Sequence, residues 1–298
     1  MRQSHIVYFL FFISGITALT YEIVWTRMLT LVFGHTVFSV SVVLAAFMAG
    51  LGLGSYLFGY AVDRLPDTSN SPTGSKTALL LYGWIEILIF FSGALLSLLF
   101  YNFSGLYASL HSFIPESVLL QNFIKMLFAF GMMLIPTTFM GATLPIISKY
   151  CVTDDNRMGV QISLLYALNT LGAALGCLMT GFFLMGTFGV LQTVLMAAAA
   201  NLLIGVSALS IYLEIVPGSD WKFRLPPLRI PRIDLNADQK FWIGISFICG
   251  FTALAYEVLW TRLLVFSIAS TVYSFSMMLT VFLLGIFLGS LLLIPLAS

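Results

Sequence analysis

Gly15 to Ser55 reads GITALTYEIVWTRMLTLVFGHTVFSVSVVLAAFMAGLGLGS, and from Gly250 to Ser290 the chain reads GFTALAYEVLWTRLLVFSIASTVYSFSMMLTVFLLGIFLGS. The two stretches align without a gap at an offset of 235. Tyr21/Tyr256, Glu22/Glu257, Trp25/Trp260, Thr26/Thr261 and Arg27/Arg262 are identical pairs, as are Phe47/Phe282, Gly50/Gly285, Gly54/Gly289 and Ser55/Ser290. A charged Glu-x-x-Trp-Thr-Arg signature does not arise twice by chance in apolar surroundings. The chain therefore carries a duplicated supersecondary unit, and the fold must accommodate it.

Both copies lie in long apolar runs, and so does most of the rest. Of 298 residues, 60% are hydrophobic and 8% are charged, against about 25% charged in a soluble domain. Repeated runs of about 20 apolar residues are the length a spanning helix needs. The composition implies an all-α polytopic membrane protein, with the lipid bilayer as its first partner. Period-2 alternation is missing, which favours helices over a barrel. Eight spans are expected, at 6–26, 36–61, 78–100, 122–149, 159–185, 189–213, 241–261 and 271–296. A net charge of +1 gives no reason to expect a nucleic-acid partner. Cys151, Cys177 and Cys249 are scattered, without metal-ligand spacing, and read as small packing residues.

The first repeat copy opens a six-helix unit over 1–213. A basic, proline-rich linker, 214–240, leads to a two-helix start of a second unit, 241–298. Six helices separate the copies, so they share one orientation, as in the parallel six-helix repeats of major-facilitator-type transporters. The second unit holds two helices, which leaves either a longer native chain or a shortened second unit. Arg2, Arg64, Lys76, Lys149, Arg157 and the linker's Lys222, Arg224, Arg229, Arg232 and Lys240 fall on one side. By the positive-inside rule that side is cytoplasmic, with both termini on it, in a cell (inner or plasma) membrane.

Ionisable residues inside spans are expensive and are the first candidates for function. Glu22 and Arg27 sit near the outer end of the first helix, and Glu257 and Arg262 likewise in the seventh. A spacing of five sets Glu and Arg about 140° apart on one helix. The expected arrangement is reciprocal, Glu22 with Arg262 and Glu257 with Arg27. It serves either as a lock between the units or as a cation-binding or gating site. Glu86, in LLYGWIEILIFF, has no basic residue in its helix. It either packs against a hydrogen-bond partner or binds a cationic substrate or a proton. Gln161 and Asn169 add polar atoms to the fifth helix. Gly50, Gly52, Gly54 and Gly59, with Gly172, Gly176 and Gly181, mark close helix packing, and Pro136 and Pro145 mark kinks in the fourth helix. Gly59-x-x-x-Asp63-Arg64 closes the second helix on the cytoplasmic side. It is similar to the first half of the major-facilitator loop signature, whose second half is replaced by Leu65, Pro66 and Asp67.

The repeated SGxxALxYExxWTRxL…FMAGLGLGS pattern resembles the membrane region of spermidine synthase-like membrane proteins, the fused major-facilitator/spermidine synthase family. The resemblance covers essentially the whole chain. It implies a membrane module that anchors a soluble aminopropyltransferase-like domain or partner on the cytoplasmic side. It also implies handling of a polyamine-like cation, for which Glu22, Glu86 and Glu257 are suited. No glycine-rich strand–loop–helix occurs in the sequence, so the family's catalytic residues map to no position, and no cofactor is expected in this chain. A secondary transporter acting alone or as a homo-oligomer, and a non-catalytic membrane scaffold, are the other readings.

Overall fold

In a computed structural model, residues 2–34, 36–64, 76–102, 118–152, 158–215 and 236–293 are described. They form eight long helices, all apolar enough to cross a membrane: α1 (Arg2–Phe33), α2 (Thr36–Val62), α3 (Lys76–Tyr101), α4 (Val118–Cys151), α5 (from Met158), α6 (Val190–Ile215), α7 (Ala237–Ile268) and α8 (Thr271–Leu293). Hydrocarbon offers the backbone no water, so each span satisfies its own amides as a helix. Among the described residues there is no strand. The all-α polytopic architecture is as the sequence indicates. Most of the 214–240 linker lies outside the described residues.

Two spans run further than expected. The first helix does not stop at Thr26 but continues to Phe33, and its repeat counterpart continues past Thr261 to Ile268. A charged Arg27 or Arg262 read as an end signal, yet the residues after each keep the helical register. This moves Glu22 and Glu257 from a helix end to near the middle of a span. Both copies then close in the same way. Gly34, at φ 70°, donates its N–H to Thr30 O at 3.0 Å. Ala269, at φ 55°, donates to Val265 O at 2.9 Å. Each is a left-handed C-terminal turn, which glycine adopts freely and alanine adopts at a cost.

Small residues set the packing. Gly172 and Gly176 of α5 lie against the backbone carbonyls of Phe12 and Ile16, and Gly15 of α1 lies against that of Asn169. Gly50 and Gly54 of α2 receive Thr137 and Thr138 of α4, and Gly141 answers against Leu51. Gly83 and Gly205 join α3 to α6 in the same manner. Gly52 faces open space and Gly59 makes only an ordinary contact, so neither is required for close approach. Pro136 and Pro145 lie inside the single continuous helix α4.

The core gathers around Tyr21, Trp25, Phe47 and Tyr82 of α1, α2 and α3. Trp25 donates its indole N–H to Ser97 Oγ at 2.9 Å, and Tyr21 packs on Gly93, both on α3. A second, smaller cluster forms the seam between the repeats. There Ile23, Val40, Leu44 and Cys177 meet Phe275, Met278 and Leu279 of α8. At this seam α5 widens into a π-helical turn, Thr180–Leu184, before Met185–Phe188 finishes the span. Thr180 Oγ1 donates to Thr20 Oγ1 at 2.9 Å, and Gly181 sits against Ser276. Gly189, at φ 82°, then turns the chain into α6. No residue pattern over 180–184 announces the π turn.

Candidate functional site

Between the first unit and α7/α8 lies a cavity of about 520 Å³. Its size falls within the range of about 300–1,000 Å³ typical of small-molecule sites. Both copies of the repeat contribute to its wall. Ser14, Thr17 and Glu22 of α1 face it, as do Glu257 of α7 and Leu279 and Phe282 of α8. Much of the remaining wall is apolar, with Phe47, Leu51, Ile89, Leu254 and Leu283 among it.

The polar part of the wall is biased toward hydrogen-bond acceptors. Glu22 and Glu257 are buried, and Oε1 of each has no hydrogen-bond partner. Asn201 of α6 also lines the cavity, and its carbonyl Oδ1 is likewise unpartnered. The orientation of that amide is set from behind. Asn201 Nδ2 donates to Glu86 Oε2 at 2.6 Å, and Ser14 Oγ donates to Glu86 Oε1 at 2.7 Å. A carboxylate accepts only, so the amide nitrogen must face it and the carbonyl must face away. The lining threonines direct their protons elsewhere. Thr17 donates to Ser14 O, Thr143 to Met140 O and Thr170 to Tyr166 O, at 2.7–2.9 Å, so their protons are already committed. Tyr166 and Asn169 are the other polar side chains on the wall, and among the described residues no lysine or arginine belongs to it. A buried acceptor without a donor costs free energy, so this wall is chemically incomplete without an N–H or O–H donor or a cation.

The structure thus brings together Glu22 and Glu257, equivalent residues of the repeat. It does not make the reciprocal ion pairs expected from sequence. Arg262 is exposed on the outside of α7, Arg27 is half-buried, and among the described residues no ion pair joins either to Glu257 or Glu22. The cause is the spacing of five, which turns each arginine away from the face that its glutamate presents. Glu86 is fully buried behind the wall, held by Ser14 and Asn201. Asp63 and Arg64 lie far from the cavity, at the exposed end of α2. There Asp63 N–H bonds Gly59 O at 3.1 Å, and the Arg64 guanidinium lies over the Tyr60 ring, 4.2 Å from its centre. Leu65, Pro66 and Asp67 lie outside the described residues. Asn201 and Ser14 were missed by the sequence reading. A lone asparagine inside the apolar run of α6 was a usable signal, since such side chains are costly in lipid; Ser14 carried none. Of the two polar residues expected in the fifth helix, Asn169 is on the wall and Gln161 is not.

Protein-family models, curated proteins and solved structures give no match to this chain.

Proposed function

We propose that this chain is an integral membrane module that binds a polyamine-like cation in the cavity between its repeats, with Glu22 and Glu257 as the counter-charges. The observation that carries the reading is a set of three buried, unpartnered acceptors, Glu22 Oε1, Glu257 Oε1 and Asn201 Oδ1, all on residues that line one cavity. A flexible di- or triamine brings ammonium donors for those oxygens and methylenes for Phe47, Leu51 and Leu283. Buried carboxyls in a membrane otherwise need a proton or a cation to neutralise them.

Movement of the cation across the membrane is the second part of the reading. It is supported by the position of the cavity at the junction of two parallel repeats, near mid-span, where transporters of repeated architecture hold their substrates. The resemblance to spermidine synthase-like membrane proteins adds an aminopropyltransferase-like domain or subunit on the cytoplasmic side, which would use or supply the same amine.

The test is retention of radiolabelled spermidine by the purified chain in lipid nanodiscs. Saturable retention is expected, weakened at least tenfold in both Glu22→Gln and Glu257→Gln and unchanged in Arg262→Gln. Absence of retention, or retention indifferent to both glutamates, would overturn the proposal.

A further inference from the structure

The two repeat copies are identical at 20 of 41 aligned positions and have very different surroundings. In the first copy Tyr21, Trp25 and Met28 form one buried face of α1, and α3 contributes to its cover: Gly93 admits the Tyr21 ring and Ser97 accepts the Trp25 N–H. The same three positions of α7 are open. Tyr256 is 61%, Trp260 54% and Leu263 56% exposed. The second helix of each copy repeats the contrast. Gly50 and Gly54 of α2 are filled by Thr137 and Thr138 of α4, whereas Gly285 and Gly289 of α8 have nothing within 4 Å.

Lipid alone is a poor cover for this face. An indole N–H finds no acceptor in hydrocarbon, and glycines gain no packing energy from mobile acyl chains. The chain itself displays what does fit. One helix, α3, meets the aromatic pair with a Gly-x-x-x-Ser motif, and the next, α4, meets the glycine pair with adjacent threonines. Its own α3 and α4 are already engaged with the first copy, so a second copy of this chain does not present them.

We infer that the α7–α8 face docks a partner transmembrane helix pair, as α3 and α4 dock on α1 and α2. The partner helix on α7 carries a small residue against Tyr256 and a hydroxyl residue four positions on, to accept the Trp260 N–H. The helix on α8 carries short side chains at Gly285 and Gly289. This inference does not depend on the nature of the cavity ligand.

The test places a photo-activated benzophenone amino acid at Leu263 of the full chain in its native membrane, with mass spectrometry of the cross-linked segment. The expected product is a transmembrane segment from outside residues 1–298 with small-x-x-x-Ser or small-x-x-x-Thr spacing. Cross-linking to lipid alone, to a second copy of this chain, or to a segment without that spacing would overturn the inference. A second variant guards against misfolding. Gly289→Leu is expected to leave thermal unfolding and spermidine retention of the chain produced alone unchanged, and to reduce the native-membrane cross-link at least tenfold. An undiminished cross-link counts against the inference, and so does unfolding of the chain produced alone, because the face would already be filled.

Discussion

Asn201 gives an amide proton to Glu86 Oε2 across 2.6 Å and keeps its own carbonyl oxygen unpartnered on the cavity wall. Glu86 therefore acts on the cavity through Asn201. Replacing Glu86 by Ala strands two buried donors, Ser14 Oγ and Asn201 Nδ2, and is expected to cost about 1–3 kcal/mol of stability. Asn201→Ala strands one acceptor of a carboxylate still held by Ser14, and should cost less. Thermal unfolding of the two variants in one detergent gives the order; a larger loss in Asn201→Ala would contradict it.

Under the proposed function, proton and cation compete for the same oxygens of Glu22 and Glu257. Spermidine affinity should fall as the buffer is acidified, because protonation removes the counter-charge. In the double variant Glu22→Gln/Glu257→Gln, whatever binding remains should lose that dependence. Titration of retained label against pH in both forms decides it, and a pH slope unchanged by the double substitution would assign the effect elsewhere.

Glycine positions on α2 divide sharply. A methyl group at Gly54 would meet the Thr138 carbonyl, and one at Gly50 would meet the Thr137 side chain, whereas one at Gly52 meets nothing. Overpacking a tight contact costs about 1–3 kcal/mol. Gly50→Ala and Gly54→Ala should therefore lower the unfolding temperature, and Gly52→Ala should not. Equal behaviour of all three would mean that α2 and α4 are further apart than described.

Ala269 occupies the left-handed turn that Gly34 occupies in the first copy. A side chain in that conformation costs about 1–2 kcal/mol, part of which glycine returns through its freer unfolded chain. Ala269→Gly is expected to raise stability modestly, and Gly34→Ala to lower it. Opposite signs in a thermal melt are the outcome to look for; the same sign in both would sink the argument.

Trp25 is fully buried, and its repeat mate Trp260 is open. In chain produced alone and reconstituted with brominated lipid, a variant retaining only Trp260 should be strongly quenched, and one retaining only Trp25 should be protected. Comparable quenching would erase the asymmetry between the copies.

The number and nature of the spans could be read directly, because lipid permits so few backbone solutions that apolar length alone identifies them. Glu22 and Glu257 could be nominated as well, since a repeated charge in hydrocarbon stands out. Their neighbours could not. Pairing each glutamate with the opposite arginine followed from charge complementarity, but side-chain direction around a helix overrode it. Glu86 stood out, while its fixing by Ser14 and Asn201 depends on which faces of α1, α3 and α6 meet. The packing partners of Gly172 and Gly176 were equally hidden, since small spacing announces an approach without naming the helix that makes it.

Among its described side chains, α7 buries only Glu257 and Thr261. Everything else it presents is at least partly open; Thr261 bonds Glu257 O of its own helix, and Val258 and Leu264 pack against the smaller apolar cluster. Synthesis from the N-terminus delivers it after the first six helices, which already carry Ser14, Glu22, Glu86 and Asn201. Under the proposed function the cavity thus acquires its second carboxylate only when α7 is made, and a nascent chain halted before α7 would hold half of the counter-charge. Under that reading ligand capture is completed by α7, the span with the smallest buried share among the eight.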